Sequence, residues 1–181
     1  MSAGDVLLFS RPITWANFRR DKFGTLMCAL IHLTTRSKWN HAAIGLDSEQ
    51  MIEATNRGVL VSPIRSSDEI RVIPAREPLM TFGCVLSPPK RDCPNQFYGN
   101  DKEEALAVAA AAVGTKYGYF NAFWCGLRNL IPGAAHIKTG KTIICSELVA
   151  LALMYAGHRW DKDTALVSPG DLAEHFGVQR A

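Results

Sequence analysis

No stretch of this chain stays apolar for the ~20 residues that a bilayer-spanning helix needs, so stable membrane insertion is not expected. An excess of one charge sign is also missing. Twenty Lys and Arg stand against 17 Asp and Glu, a formal net charge of +3, well short of the clustered basicity of a nucleic-acid-binding domain. No nucleic-acid partner is expected. Cysteines are few: Cys28, Cys84, Cys93, Cys125 and Cys145 contain no Cys-x-x-Cys and no paired Cys/His spacing, which argues against a zinc module or a disulfide framework. No metal and no other cofactor is expected. The start, Met1-Ser2-Ala3-Gly4-Asp5, has neither a basic n-region nor an A-x-A site, so the expectation is a cytoplasmic chain with reduced thiols. Internal repeats and low-complexity tracts are absent as well.

What remains is the composition of a folded domain: 181 residues, 48% hydrophobic and 20% charged. A chain of that length hides roughly 70% of its unfolded surface in one core. The reading is a single domain over residues 1–181, with a polar, proline-containing stretch at 87–100 as a candidate subdomain joint.

Val6–Phe9 reads as a first strand, and Ile13 to about Leu33 as a helix weakened at Gly24. His41–Leu46 and Met51–Thr55, separated by the four residues Asp47–Gln50, read as a β-hairpin. Gly58–Val61 and Ile70–Ile73 continue as strands. Lys102–Val113 is an alanine-rich helix with Asn100 or Asp101 as cap and Gly114 as stop. Tyr117–Leu130 is aromatic and ambiguous, its rings (Tyr117, Tyr119, Phe120, Phe123, Trp124) being expected in the core, with the lining of an acyl-chain groove as the alternative. Further helices run from Cys145 to Tyr155, ended by Gly157, and from a Ser168-Pro169-Gly170-Asp171 start. Strands first and helices after, without βαβ alternation, predict an α+β fold.

Cys145 opens an apolar helix. Unpaired backbone N–H groups and the helix dipole favour an anion there, and a thiol of reference pKa ~8.5 can fall to roughly 3.5–7.5 in such a place beside a histidine. The same N–H groups suit the oxyanion of acyl transfer. Taken alone, the segment is equally readable as a buried core cysteine. The hairpin supplies a base. Strand side chains alternate faces, so Ala42, Ile44 and Leu46 share an apolar face with Ile52 and Ala54, while His41 and Glu53 share the other. A carboxylate across the hairpin can hold an imidazole in one tautomer, as in a catalytic triad.

Gly4-Asp5-Val6-Leu7, Trp39-Asn40-His41-Ala42-Ala43-Ile44-Gly45, Ile52-Glu53-Ala54, Ile144-Cys145-Ser146-Glu147-Leu148-Val149 and Ser168-Pro169-Gly170-Asp171-Leu172 follow one another. In that order, with His first, acid next and Cys last, the set resembles the circularly permuted papain-like branch of the NlpC/P60 superfamily, of the YiiX/YaeF type and distantly akin to lecithin–retinol acyltransferase. The resemblance implies a permuted papain-like fold with an antiparallel, partly barrel-like sheet packed on helices. It implies Cys145 as nucleophile, His41 as general base and Glu53 as orienting residue. Gly114-Thr115-Lys116-Tyr117 is similar to a Gly-x-x-Tyr block of the family, which adds Tyr117 to the site. Trp39 and Ser146 join it as candidate substrate or oxyanion contacts. The implied activity is hydrolysis of an amide in a peptide or a peptidoglycan-derived peptide, through a thioester. The alternatives are a lipid acyl substrate (acyltransferase, esterase or thioesterase) and a non-catalytic binding module that keeps the fold. A wall substrate would call for a phage particle or another delivery route.

Two features are set aside. Thr139-Gly140-Lys141-Thr142 mimics the end of a P-loop, but Ala135 stands where that motif needs its first glycine. His32, His136, His158 and His175 lack any spacing that suggests a metal.

Overall fold

The structure, a computed structural model, describes residues 2–15, 19, 22–65, 69–73, 101–130 and 141–179. It is an α+β fold. A five-stranded antiparallel sheet has the order β4-β3-β2-β1-β5, from β1 (Val6–Ser10), β2 (His41–Gly45), β3 (Gln50–Thr55), β4 (Gly58–Pro63) and β5 (Glu69–Ile73). Five helices have defined bounds among the described residues: α1 (Lys22–Thr35), α2 (Asp101–Ala111), α3 (Tyr119–Leu130), α4 (Cys145–Tyr155) and α5 (Pro169–His175). A two-stranded parallel sheet joins β6 (Lys116–Tyr117) to β7 (Thr142–Ile143).

The expected barrel-like closure is not observed. Closing a sheet requires its two edges to pair, and here β4 and β5 lie at opposite ends of an open sheet. The candidate joint at 87–100 lies outside the described residues.

Alternation along the strands sorts the core. One face presents Val6, Leu8, Ala42, Ile44, Ile52, Ala54 and Val59 to Leu148, Val149, Ala152 and Leu153 of α4. The other carries a smaller cluster of Leu7, Phe9, Ala43 and Met51. Eight of the 11 residues of α4 are buried, which makes it the central helix. Each fully buried Ile or Leu of this layer contributes about 2 kcal/mol.

The β2–β3 hairpin forms as read, with the turn one residue earlier at Leu46–Glu49. Asp47 Oδ1 holds it by accepting from the N–H groups of Glu49 and Gln50, both at 2.7 Å. Register places Glu53 opposite Ala43, so Glu53 is the diagonal neighbour of His41 on the same face. A two-residue turn then leads to Gly58, whose φ of +102° suits glycine. A Cβ there would stand 2.6 Å from the Thr115 carbonyl oxygen. That close approach lets the Val59 N–H donate to Thr115 O at 2.9 Å, and it fixes where β6 begins.

The ambiguous aromatic segment resolves into β6 and α3. Phe120 and Phe123 are 47% and 46% exposed, and Tyr119 is exposed too, against the expectation of a core position. The buried side of α3 is taken by the smaller Ala122 and Cys125, which pack with Ile144. The α5 start is the expected capping box: Ser168 Oγ accepts from the Asp171 N–H at 3.2 Å, and Asp171 Oδ2 accepts from the Ser168 N–H at 2.8 Å. Among the described residues no helix is long and apolar enough to cross a membrane.

Candidate active site

Cys145 is the first residue of α4, after Ile144 in an extended conformation as N-cap. The helix lies against β2, which brings its N-terminus to the first residues of that strand. The Cys145 thiol is buried and stands beside the His41 ring, close enough for the two groups to shift one another's pKa. Burial alone would raise its pKa. The charge and hydrogen bond of His41, with the backbone N–H groups of Ala42 and Ser146, instead pull it below the ordinary thiol value.

His41 stands at the start of β2 with its side chain 21% exposed. Its Nε2–H donates to Glu53 Oε2 at 2.6 Å, which leaves Nδ1 as the ring nitrogen for Cys145. Burial would lower the pKa of this imidazole, but the negative charges of Cys145 and Glu53 raise it to about 10. Each charge stabilises the other, which favours the thiolate–imidazolium form of the pair over the neutral one. Phe9, directly across the strand pair, keeps the ring in place with centroids 5.6 Å apart.

Glu53 is fully buried, and a buried carboxylate survives only when its oxygens are satisfied. Oε2 accepts from His41, and Oε1 accepts from Ser62 Oγ at 2.5 Å and from Arg65 Nη2 at 2.6 Å. Burial would push its pKa up. The hydrogen bonds from His41 and Ser62 and the charges of His41 and Arg65 hold it down at about 2. Ser62 and Arg65 are members of the cluster that the sequence reading did not name. The short β3–β4 turn carried a signal for Ser62, because that register puts it diagonal to Glu53 on the same face. Arg65 lies beyond the end of β4, where no periodicity assigns a direction.

These groups open onto a cleft of about 190 Å³. Arg11, Asn40, His41 and Arg65 give it one polar side, while Met27 and Ile31 of α1, with Tyr117, give an apolar side. Tyr117 lines it as expected, carried there by β6, whose partner β7 ends two residues before Cys145. Burial, and then the negative charge of Cys145, raise the Tyr117 pKa well above the ordinary phenol value, so it stays neutral. Tyr119 meets Tyr117 edge-on at 5.1 Å and donates from its hydroxyl to Asn56 O at 2.8 Å, joining α3 to the β3–β4 turn.

The other two candidates behave differently. Trp39 does not line the cleft: it is a core residue whose indole Nε1–H donates to Gln179 O at 2.9 Å. Its large ring is held by packing rather than offered to a ligand. Ser146 contributes its main-chain N–H to Cys145. Ser146 also lines a small cavity of about 20 Å³ together with Cys145, and its Oγ is buried with no hydrogen-bond partner among the described residues. Among the described residues no group of three or more His, Cys, Asp or Glu side chains is arranged to hold a metal.

No family model matches this chain, and no curated protein matches it either.

Proposed function

We propose that this protein is a cysteine hydrolase of permuted papain-like fold that works through a thioester. The observation that carries the reading is the chain of contacts from the Cys145 thiol to the His41 ring to the buried Glu53 carboxylate. A solitary buried cysteine has no need of a charged base held by a second charge. The cost of desolvating Glu53 is offset only by the partners that also orient His41.

In the proposed reaction the Cys145 thiolate attacks the carbonyl carbon of an amide. The carbonyl oxygen takes the negative charge and is held by N–H groups at the start of α4. The His41 imidazolium then gives its proton to the leaving amine, the C–N bond breaks, and a thioester remains. His41, now neutral, takes a proton from water; the resulting hydroxide attacks the thioester, and the carboxylic acid leaves with the thiolate restored. Glu53 keeps Nε2 occupied, so that Nδ1 faces the sulfur throughout.

The resemblance described above favours a peptide or peptidoglycan-derived amide as substrate. A lipid acyl group is the second reading, favoured by the apolar side that Met27 and Ile31 give the cleft. A binding module that keeps the fold without turnover is the third, and it predicts an ordinary thiol at position 145.

The test is intact-protein mass spectrometry after a brief, limiting dose of iodoacetamide at pH 6.5, on wild type and His41→Ala. Cys145 is expected to be alkylated first in wild type, and the preference is expected to vanish in His41→Ala. Equal reaction at all thiols, or an inert Cys145 in both proteins, overturns the catalytic reading.

A further inference from the structure

Arg65 does more than hold Glu53. One nitrogen, Nη2, is used on Glu53 Oε1. The side chain is 39% exposed and lines the same cleft as Cys145 and His41. Among the described residues Glu53 is its sole ion-pair and hydrogen-bond partner. A guanidinium presents five N–H donors in a rigid fork, so the donors not aimed at Glu53 face the cleft or the solvent at its mouth.

The charge around it points the same way. Among the described residues the cleft is lined by the cations Arg11, His41 and Arg65, while Glu53 is the one carboxylate and has both oxygens engaged. Asn40, Thr55 and Asn56 complete the polar side without adding negative charge. An anion entering the cleft therefore meets a partly desolvated arginine and, among the described residues, no opposing free carboxylate, the setting in which arginine–oxyanion pairing is strong.

We infer that Arg65 forms an anion-binding subsite beside Cys145, so that the acyl substrate carries a carboxylate or phosphate group close to the carbonyl under attack. This inference rests on the cysteine-hydrolase reading and narrows its substrate class. Arg65 would then couple two tasks, orienting the base through Glu53 and selecting the substrate through its outward donors.

The thiol itself can report on the subsite without a known substrate. Iodoacetate and iodoacetamide alkylate the same sulfur, but only iodoacetate carries a carboxylate. Their second-order rates at Cys145 are measured at pH 7 in wild type, Arg65→Gln and Arg65→Lys, with iodoacetamide serving in each protein as the control for thiolate reactivity. Wild type is expected to favour iodoacetate by about 10-fold, with a rate that saturates in reagent. Arg65→Gln is expected to lose that preference, and Arg65→Lys, which keeps charge but not the fork, to retain part of it. Protection of wild type by acetate points to a carboxylate-bearing substrate, and protection by inorganic phosphate to a phosphate-bearing one. An iodoacetate-to-iodoacetamide ratio that Arg65→Gln leaves unchanged overturns the subsite while the hydrolase reading stands. A Cys145 inert to both reagents overturns the thiolate on which both readings rest.

Discussion

Cys145 and Cys125 line one small cavity, yet their thiols are driven in opposite directions. Burial favours the neutral thiol at both. At Cys145 the His41 cation and two backbone N–H groups reverse that preference. At Cys125 burial is joined by the negative charge of Asp171, and the pKa is pushed up to about 12, while the thiol donates to Leu166 O at 3.6 Å. The difference comes from position. Cys145 starts a helix facing a base, and Cys125 lies within α3 facing a carbonyl.

The first prediction follows from this contrast. Since only the thiolate is nucleophilic, Cys145 should react with iodoacetamide at pH 6.5 more than ~100-fold faster than Cys125. Peptide mapping after graded labelling measures both sites in one sample. Cys125→Ala should leave the rate at Cys145 within a factor of about 2, because it removes neither His41 nor the α4 N–H groups. A comparable rate at the two cysteines would show that His41 does not ionise Cys145.

Much of this site was legible in the sequence because it follows from period-two alternation and helix-start rules. Once His41–Gly45 and Gln50–Thr55 are paired so that Ala42, Ile44, Ile52 and Ala54 share the apolar face, His41 and Glu53 fall together on the other. Cys145 at a helix start follows from the apolar run after it. Less local features were not legible. Arg65 reaches Glu53 from irregular chain beyond a strand. Trp39 is two residues before His41 and would share its face by alternation, but it lies ahead of β2 and packs into the core instead. His158 and His175 carry no shared spacing, yet α4 and α5 bring their rings within 3.0 Å, Nδ1 to Nε2.

The pH dependence of the thiol is the second prediction. With the Cys145 pKa lowered and that of His41 raised to about 10, the ion pair forms as pH rises past the Cys145 value and persists to about pH 10. Iodoacetamide alkylation of wild type should reach its plateau well below pH 8.5, the ordinary thiol value. In His41→Ala the cation is gone and burial dominates, so the midpoint should move to 8.5 or above. Turnover, which needs the imidazolium to protonate the leaving group, should fall on the alkaline side as His41 loses its proton near pH 10. Superimposable alkylation profiles for the two proteins would remove His41 from the mechanism.

Glu53 carries the third prediction, on stability. Its pKa is about 2 in the folded protein against an ordinary 4.5. The unfolded chain therefore binds more protons between these values, and stability is lost as pH falls through that window. The contribution, complete above pH 4.5, is of the order of 3 kcal/mol. Urea denaturation at pH 7 should show Glu53→Gln destabilised by about 2 kcal/mol, with a flatter loss between pH 4.5 and 2 than wild type. His41 titrates the other way: its folded pKa lies above 6.5, so its contribution is complete below pH 6.5 and is lost as pH rises towards 10. Glu53→Gln should shrink that alkaline loss too, since Glu53 is one of the charges that raise His41. Equal stability of the variant and wild type at pH 7 would mean the carboxylate is not held as its three partners indicate.

The last prediction concerns the histidine pair far along the chain. His158 and His175 sit between the end of α4 and the end of α5, and Trp160 stacks on His175 with centroids 4.5 Å apart. Burial, and then the proximity of His175, lower the His158 pKa to about 4. Burial also lowers His175, against the opposing charge of Asp161. A histidine whose folded pKa lies below its unfolded 6.5 takes up a proton on unfolding between those values. His158 therefore costs stability as pH falls from 6.5 to about 4, by roughly 3 kcal/mol, and His175 adds to the loss in the same direction. His158→Phe keeps an aromatic ring against Phe176 and removes the titration. Thermal or urea unfolding should show the variant losing less stability than wild type across that window, while the rate of Cys145 alkylation at pH 6.5 stays within about 2-fold of wild type, since neither ring lines the cleft. Parallel losses in the two proteins would mean that the pair is already protonated in the folded state.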